Sequence, residues 1–341
     1  MTFFNTFRHK SLKIACALVV FLCLGTVARA QDSDEEIVPI NSNLVILNVG
    51  VADQKGRAIT NLSQSDFAIY EDGVKQSVVS FEPSTAPFSL VLLLDMSGST
   101  INFRPTLKQS ALRFIDALGP DDRVEVVAFN DKVQTLQHFT GDRRAIAFAI
   151  EEAKGKGNTN LYKALRHSLV ELAKEGKRRK AIVVLSDGLD TEERKLDGQA
   201  TAEAKTGDEA VATVKPDQSA ALRSVLDSAD RLGVTVYPLA LPSADPKNLL
   251  PLTPQQSAIY SAARTRMQTL ADRTGGRLHE IRRLEDMGRL YAEVAAEMRT
   301  LYSLAYQSSN ARTRDGKWRA ITVEVTRTDA IARSRPGYYA R

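Results

Sequence analysis

The chain has 341 residues, 43% hydrophobic and 26% charged, which is enough for one large globular domain with smaller attachments. Its net charge of +5 comes mainly from residues 1–30, which hold four Lys/Arg and no Asp/Glu; the rest, with 42 basic and 41 acidic residues, has no general attraction to nucleic acid. Both cysteines, Cys16 and Cys23, also lie in residues 1–30, which excludes disulfide or thiol chemistry in the remainder.

Residues 1–30 have the pattern of a signal peptide. Basic residues in 8–13 precede an apolar stretch over 14–27, and residues 28–30 have the Ala-x-Ala form of a cleavage site. The apolar stretch is short for a membrane span, which needs roughly 20 residues, so an uncleaved anchor is the less favoured alternative. We therefore expect cleavage after Ala30, a secreted or periplasmic protein, and no stable membrane span afterwards.

The next segment has a β pattern. Residues 31–36 are polar and predict a flexible start, and 37–82 predict a small all-β module. Apolar residues alternate over 44–49, and the sequence Glu71-Asp72-Gly73 between two β-rich runs is typical of a hairpin turn. Residues 83–87 predict a linker.

Strands and helices alternate over residues 88–300. Predicted strands cover 88–94, 123–129, 133–139, 181–185, 234–241 and 277–281, with predicted helices beginning at 105 and covering 145–153, 161–174, 222–232, 257–273 and 284–299. This alternation predicts an α/β fold: a Rossmann-like, doubly wound, mainly parallel sheet with helices on both faces. Residues 191–216 lack a clear apolar face and predict an insertion loop, either functional or disordered.

The C-terminal segment, 301–341, returns to a β pattern. Predicted strands at 301–307 and 320–325 flank a polar turn. The sequence leaves open whether this segment packs with the N-terminal β module.

Oxygen-bearing side chains follow two predicted strands and precede one predicted helix. Asp95, Ser97 and Ser99 come after the first apolar strand, Asp187 follows a later one, and Thr159 precedes a helix. In a parallel sheet these three segments reach one edge, where open α/β sheets bind ligands. Each residue alone is more simply explained as a turn or capping residue. Jointly they favour a site for a hard divalent cation.

The Asp-x-Ser-x-Ser sequence, the later Thr and the Ser-Asp-Gly after another strand resemble the metal-ion-dependent adhesion site (MIDAS) of von Willebrand factor type A (VWFA) domains. The resemblance covers residues 88–300. The flanking sequences at 66–73 and 336–340 also resemble, less specifically, exported bacterial proteins with an acidobacterial-type version of this domain.

This resemblance implies that Asp95, Ser97, Ser99, Thr159 and Asp187 bind Mg²⁺ or Mn²⁺, with the carboxylates often acting through water. Two carboxylates only neutralise a divalent ion, so the metal keeps a position for an outside ligand. In the family that ligand is commonly an Asp or Glu carboxylate of a partner protein. The expected function is therefore an exported, metal-dependent, non-enzymatic protein-binding module. The partner and the oligomeric state stay open.

Two other functions are weaker alternatives. A Mg²⁺-dependent phosphatase of the haloacid dehalogenase type also has an Asp after a hydrophobic strand, but it usually needs a second Asp where this chain has Ser97. The second alternative is an envelope scaffold with a non-functional metal site.

Other possible sites have weaker sequence support. Asp190 and Thr191 are expected to shape their loop rather than to bind metal. His138, His167 and His279 form no spaced zinc pair and are expected to be surface or core residues.

Overall fold

The computed structural model describes residues 44–241, 252–310 and 315–341. Its strands in these ranges are β1 Leu44–Asp53, β2 Phe67–Glu71, β3 Val74–Gln76, β4 Val78–Glu82, β5 Phe88–Asp95, β6 Arg123–Phe129, β7 Val133–Thr140, β8 Arg179–Ser186, β9 Val234–Ala240, β10 His279–Glu280, β11 Leu301–Gln307, β12 Trp318–Val325, β13 Ala330–Arg333 and β14 Gly337–Tyr339. The α-helices are α1 Arg104–Ala117, α2 Arg143–Glu152, α3 Leu161–Ala173, α4 Thr191–Ala200, α5 Gly207–Thr213, α6 Ala220–Leu232, α7 Pro254–Thr274 and α8 Met287–Met298.

The central sheet has the strand order β10-β9-β8-β5-β6-β7. All neighbouring strands in it are parallel except β7, which runs antiparallel to β6 at one edge. Every residue of β5 and β8 is buried, as expected for parallel strands with helices on both sides. Because β5 lies between β8 and β6, its last residue lies in the middle of the carboxyl edge of the sheet.

Helices cover both faces of this sheet. Helices α1, α2 and α8 pack on one face with apolar residues such as Leu107, Ile146 and Val294. Helices α3 and α6 pack on the other face with residues such as Leu165 and Leu226. The predicted doubly wound α/β fold is confirmed.

The N-terminal and C-terminal β segments form one module. Strands β13-β1-β11-β4 make one four-stranded sheet and β14-β12-β2-β3 make another. Residues of both sheets, among them Leu47, Ile69 and Tyr302, share one apolar core. The predicted hairpin is present: β2 pairs with β3 through a turn at Asp72 and Gly73, which both have positive φ. The two strands flanking the predicted C-terminal turn, β11 and β12, lie in different sheets.

The prediction of an insertion loop over residues 191–216 is wrong in its secondary structure. The segment contains helices α4 and α5, and α4 is fixed to α7 by buried charges. The guanidinium of Arg266 donates to both carboxylate oxygens of Asp197 at 2.7 Å and lies 3.3 Å from Glu193. A hydropathy pattern misses this contact, because the buried face of α4 is charged and not apolar.

The predicted signal peptide, 1–30, and the flexible start, 31–36, lie outside the described residues. Among the residues that are described, no helix combines the length and apolar character needed to cross a membrane.

Candidate metal centre

Asp95 is the last residue of β5, and its side chain is fully buried. Its Oδ1 accepts a hydrogen bond from the backbone N–H of Ser97 at 3.0 Å. Its Oδ2 accepts one from the hydroxyl of Ser186, the last residue of β8, at 2.6 Å. The carboxylate is therefore held in one orientation between the ends of two neighbouring strands.

Ser97 and Ser99 lie side by side in the turn after β5, with their hydroxyl oxygens 3.1 Å apart. Ser97 is buried, whereas Ser99 is exposed. The hydroxyl of Thr100 donates to the carbonyls of Asp95 and Ser97, and Arg104 donates to the Ser97 carbonyl at 2.9 Å. These bonds fix the backbone of the turn and therefore the positions of both serines.

The Thr159 loop is attached to both neighbouring loops. The carbonyl of Gly157 accepts from the backbone N–H of Gly98 at 2.9 Å, which joins it to the serine turn. The backbone N–H of Thr159 donates to the Thr191 hydroxyl at 3.0 Å, and its carbonyl accepts from the Thr191 N–H at 2.9 Å. Gly157 has a φ of +94°, which a residue with a side chain rarely adopts. The loop thus brings Thr159 to the same edge of the sheet as the other residues.

Asp187 follows β8 and is buried. Its Oδ1 accepts from the backbone N–H of Leu189 at 3.0 Å, while its Oδ2 is buried without a hydrogen-bond partner. Such an unpartnered buried oxygen is costly unless something else compensates it. The atom is therefore a natural ligand position.

Burial and the charge of Asp187 raise the pKa of Asp95 to about 7. Burial also raises the pKa of Asp187, against the backbone N–H of Leu189 and the nearby Ser99 hydroxyl. Arg264 and Arg194 offset part of this charge from further away. Without a cation, the two carboxylates disfavour each other's ionised form.

The residues present fit a hard divalent cation. The five predicted ligands offer only carboxylate and hydroxyl oxygens, the donor type that Mg²⁺ prefers. The carboxylates repel each other, and one of their oxygens is unpartnered. The side chains that hydrogen-bond to Asp95 are the hydroxyls of Ser186 and Ser97.

Two supporting residues have roles that the sequence did not indicate. Ser186 orients Asp95, and Arg104 fixes the serine turn. Thr191 joins the Thr159 loop to the start of α4, in line with its predicted loop-shaping role. Asp190 caps α4 by accepting from the backbone N–H groups of Glu192 and Glu193, which confirms its predicted structural role.

Residues 90–189 match the family model of the von Willebrand factor type A domain. The uncharacterized protein sll0103 of Synechocystis sp. is 38% identical over 107 residues, covering 30% of this chain and 25% of that protein. The human voltage-dependent calcium channel subunit alpha-2/delta-4 is 31% identical over 123 residues, covering 31% of this chain and 11% of that protein. The chain thus spans a quarter or less of the length of these curated relatives.

Among solved structures, a von Willebrand factor type A protein from Catenulispora acidiphila aligns with a TM-score of 0.45 and 12% identity. The alignment covers 88% of this chain and 74% of that one.

Proposed function

We propose that this chain, which contains a von Willebrand factor type A domain, is an exported protein-binding module whose contacts depend on a metal ion. VWFA domains typically mediate protein interaction and adhesion. In this chain, the partner would bind through a metal ion held by the domain's own MIDAS residues.

Two observations support the proposal. Hydrogen bonds join the three segments at the carboxyl edge of the sheet, and Asp187 has a buried carboxylate oxygen with no hydrogen-bond partner. A divalent cation would satisfy that oxygen and relieve the repulsion between Asp95 and Asp187. We assign Asp95, Ser97, Ser99, Thr159 and Asp187 as the residues that hold Mg²⁺ or Mn²⁺.

The chemistry of the five residues suggests the kind of partner. Two carboxylates balance the charge of a divalent ion without exceeding it, so the ion retains affinity for a further anionic ligand. Ser99 is exposed, so the outer side of the site is open to a partner. We propose that an Asp or Glu carboxylate of a partner protein takes that position, with the metal as the centre of the interface.

The phosphatase alternative is less favoured because the position two residues after Asp95 holds Ser97. The hydroxyl of Ser97 lies against Ser99 and does not replace the general acid that such an enzyme needs there.

Calorimetric titration of Mg²⁺ into the wild-type protein and into Asp95→Ala tests the metal site. Asp116→Asn, which changes an exposed carboxylate on α1, is the matched control. We expect binding in the wild type and the control and none in Asp95→Ala. Equal affinity in all three would remove the proposal.

A pull-down from the native envelope fraction tests the partner role. Immobilised wild-type protein should retain a protein in Mg²⁺ that EDTA releases, and Ser97→Ala should not retain it. Retention that is the same in Mg²⁺, in EDTA and with Ser97→Ala would instead favour a scaffold role in which the metal takes no part.

A further inference from the structure

Glu125, the third residue of β6, is an ionisable residue in a strand that is otherwise apolar after Arg123. The side chains of Val127 and Phe129, two and four residues further along the same face, belong to the apolar core beneath α3. The Glu125 side chain is 0% exposed. An ionisable group at such a position needs specific partners.

Only one of the two carboxylate oxygens of Glu125 has a hydrogen-bond partner. Its Oε1 accepts from the Thr135 hydroxyl at 2.9 Å and lies 4.0 Å from Nε2 of His167. That His167 nitrogen is also 2.8 Å from the Thr135 hydroxyl. The second oxygen, Oε2, is buried and has no hydrogen-bond partner. This oxygen belongs to a residue within β6, whereas the MIDAS residues Asp95 and Asp187 lie at the ends of β5 and β8.

Two more side chains that could bind a metal ion lie close to Glu125. A carboxylate oxygen of Glu171, a ring nitrogen of His138 and a carboxylate oxygen of Glu125 lie within 4.8 Å of one another. Glu171 follows His167 by one turn of α3, so both are on the same helix face.

A β-bulge brings His138 into this cluster. Between the pairs Val124–Thr140 and Val126–Gln137, β6 advances by two residues and β7 by three. The extra residue in β7 changes the direction of the side chains there, which is a common effect of bulges near functional sites. His138 therefore lies opposite Glu125.

One existing cation already contacts the cluster. Lys174 donates to Glu171 Oε1 at 2.7 Å, but its side chain is 63% exposed, and such surface pairs are weak. Lys174 does not satisfy the buried Oε2 of Glu125. Exchange of this contact for a metal bond would therefore cost little.

We infer that Glu125, His138 and Glu171 form a second metal site, separate from the MIDAS residues, for a borderline-soft divalent ion such as Zn²⁺. Imidazole and carboxylate are ordinary zinc ligands, and three protein ligands leave a fourth position for water or for His167. With bonds of about 2.0–2.2 Å, tetrahedral ligand atoms lie roughly 3.5 Å apart. The ligand atoms, which lie within 4.8 Å of one another, must therefore move closer by at most about 1.3 Å, which rotation of the exposed His138 and the half-buried Glu171 allows.

The test is calorimetric titration of Zn²⁺ into the purified protein in the presence of excess Mg²⁺. The Asp95→Asn variant is titrated in parallel to remove the first site. We expect one Zn²⁺ equivalent in both proteins. Removal of a supporting hydrogen bond at a metal site typically costs 10–100-fold in affinity. Loss of a direct ligand in Glu125→Gln or His138→Ala should therefore weaken binding by about tenfold or more.

Glu152→Gln, an exposed Glu on α2, is the control and should bind as the wild type does. His138 is exposed, so His138→Ala keeps the test valid if Glu125→Gln does not fold. NMR of the histidine rings gives a residue-specific readout: Zn²⁺ should shift the His138 resonances and leave those of His279 in place. No Zn²⁺ binding, or binding that both variants retain, would overturn the inference.

Discussion

Replacement of Asp95 with Asn should have opposite effects on stability with and without metal. In EDTA, the fold holds two buried carboxylates close together, and the pKa of Asp95 is raised from 3.8 to about 7. Between these values the folded protein binds more protons than the unfolded chain, so its stability falls as the pH rises. At pH 8 the ionised Asp95 therefore destabilises the metal-free fold.

The magnitude follows from the pKa and the hydrogen bonds. An uncompensated buried charge typically costs about 3–5 kcal/mol, and burial beside Asp187, which raises the pKa of Asp95, makes its carboxylate such a charge at pH 8. Asn removes that cost but loses the bond from the Ser186 hydroxyl, worth about 1 kcal/mol. Asp95→Asn should thus stabilise the metal-free protein by about 2–3 kcal/mol. For domains of this size that is about 4 °C or more in Tm.

Saturating Mg²⁺ should reverse the order. A ligand at 100 times its Kd stabilises the fold by about 2.7 kcal/mol, or about 5 °C or more in Tm. The wild type should gain this shift and Asp95→Asn should lose it. Thermal unfolding at pH 8 in EDTA and in Mg²⁺ measures both effects, with Asp116→Asn as the control. If Asp95→Asn lowers the Tm in EDTA and keeps the full Mg²⁺ shift, Asp95 neither destabilises the metal-free fold nor holds the metal.

Three further predictions concern the loop, the pH dependence and the α4 anchor. Gly157→Ala should lower the free energy of unfolding by about 1–3 kcal/mol and weaken Mg²⁺ binding, because φ is +94° and a Cβ would lie 1.9 Å from a carboxylate oxygen of Asp131. The control is Gly176→Ala, which is also at positive φ but has open space around it. This control should leave the Mg²⁺ affinity measured by calorimetry unchanged. Mg²⁺ binding should release a proton at pH 6 and almost none at pH 8.5, since the metal binds ionised Asp95; calorimetry in buffers of different ionisation enthalpy measures this, and equal release at both pH values contradicts it. Arg266→Met should lower the free energy of unfolding in urea by about 3–5 kcal/mol, because it leaves Asp197 buried and unpaired. The double variant Arg266→Met with Asp197→Leu should recover most of that loss. A double variant as unstable as the single one would contradict this ion pair.

The central sheet was predictable because its signals are local. Apolar runs such as 88–94 indicate buried strands, and the positive φ of Gly73 matches the turn that the sequence indicates. The grouping of Asp95, Ser97 and Asp187 at one edge follows from parallel strand order, which places successive strand ends together.

The pairing of the β module, the packing of α4 and the Glu125 cluster could not be predicted, because they depend on contacts between residues far apart in the sequence. Leu44 pairs with Gln307 in the β module, and no local pattern contains that pairing. Helix α4 packs through a buried ion pair with Arg266, so its sequence lacks an apolar face. The Glu125 cluster was missed because its three members lie on β6, β7 and α3, and His138 reaches Glu125 through a bulge in β7. The interruption of an apolar strand by Glu125 was the one available signal.

Anomalous diffraction from crystals grown with Mn²⁺ locates the bound ion in the protein. We expect an anomalous peak about 2.1 Å from the hydroxyl oxygens of Ser97 and Ser99 and close to Oδ2 of Asp187. A crystal in which Mn²⁺ binds elsewhere, with that position empty and accessible, would show that these residues do not hold the ion.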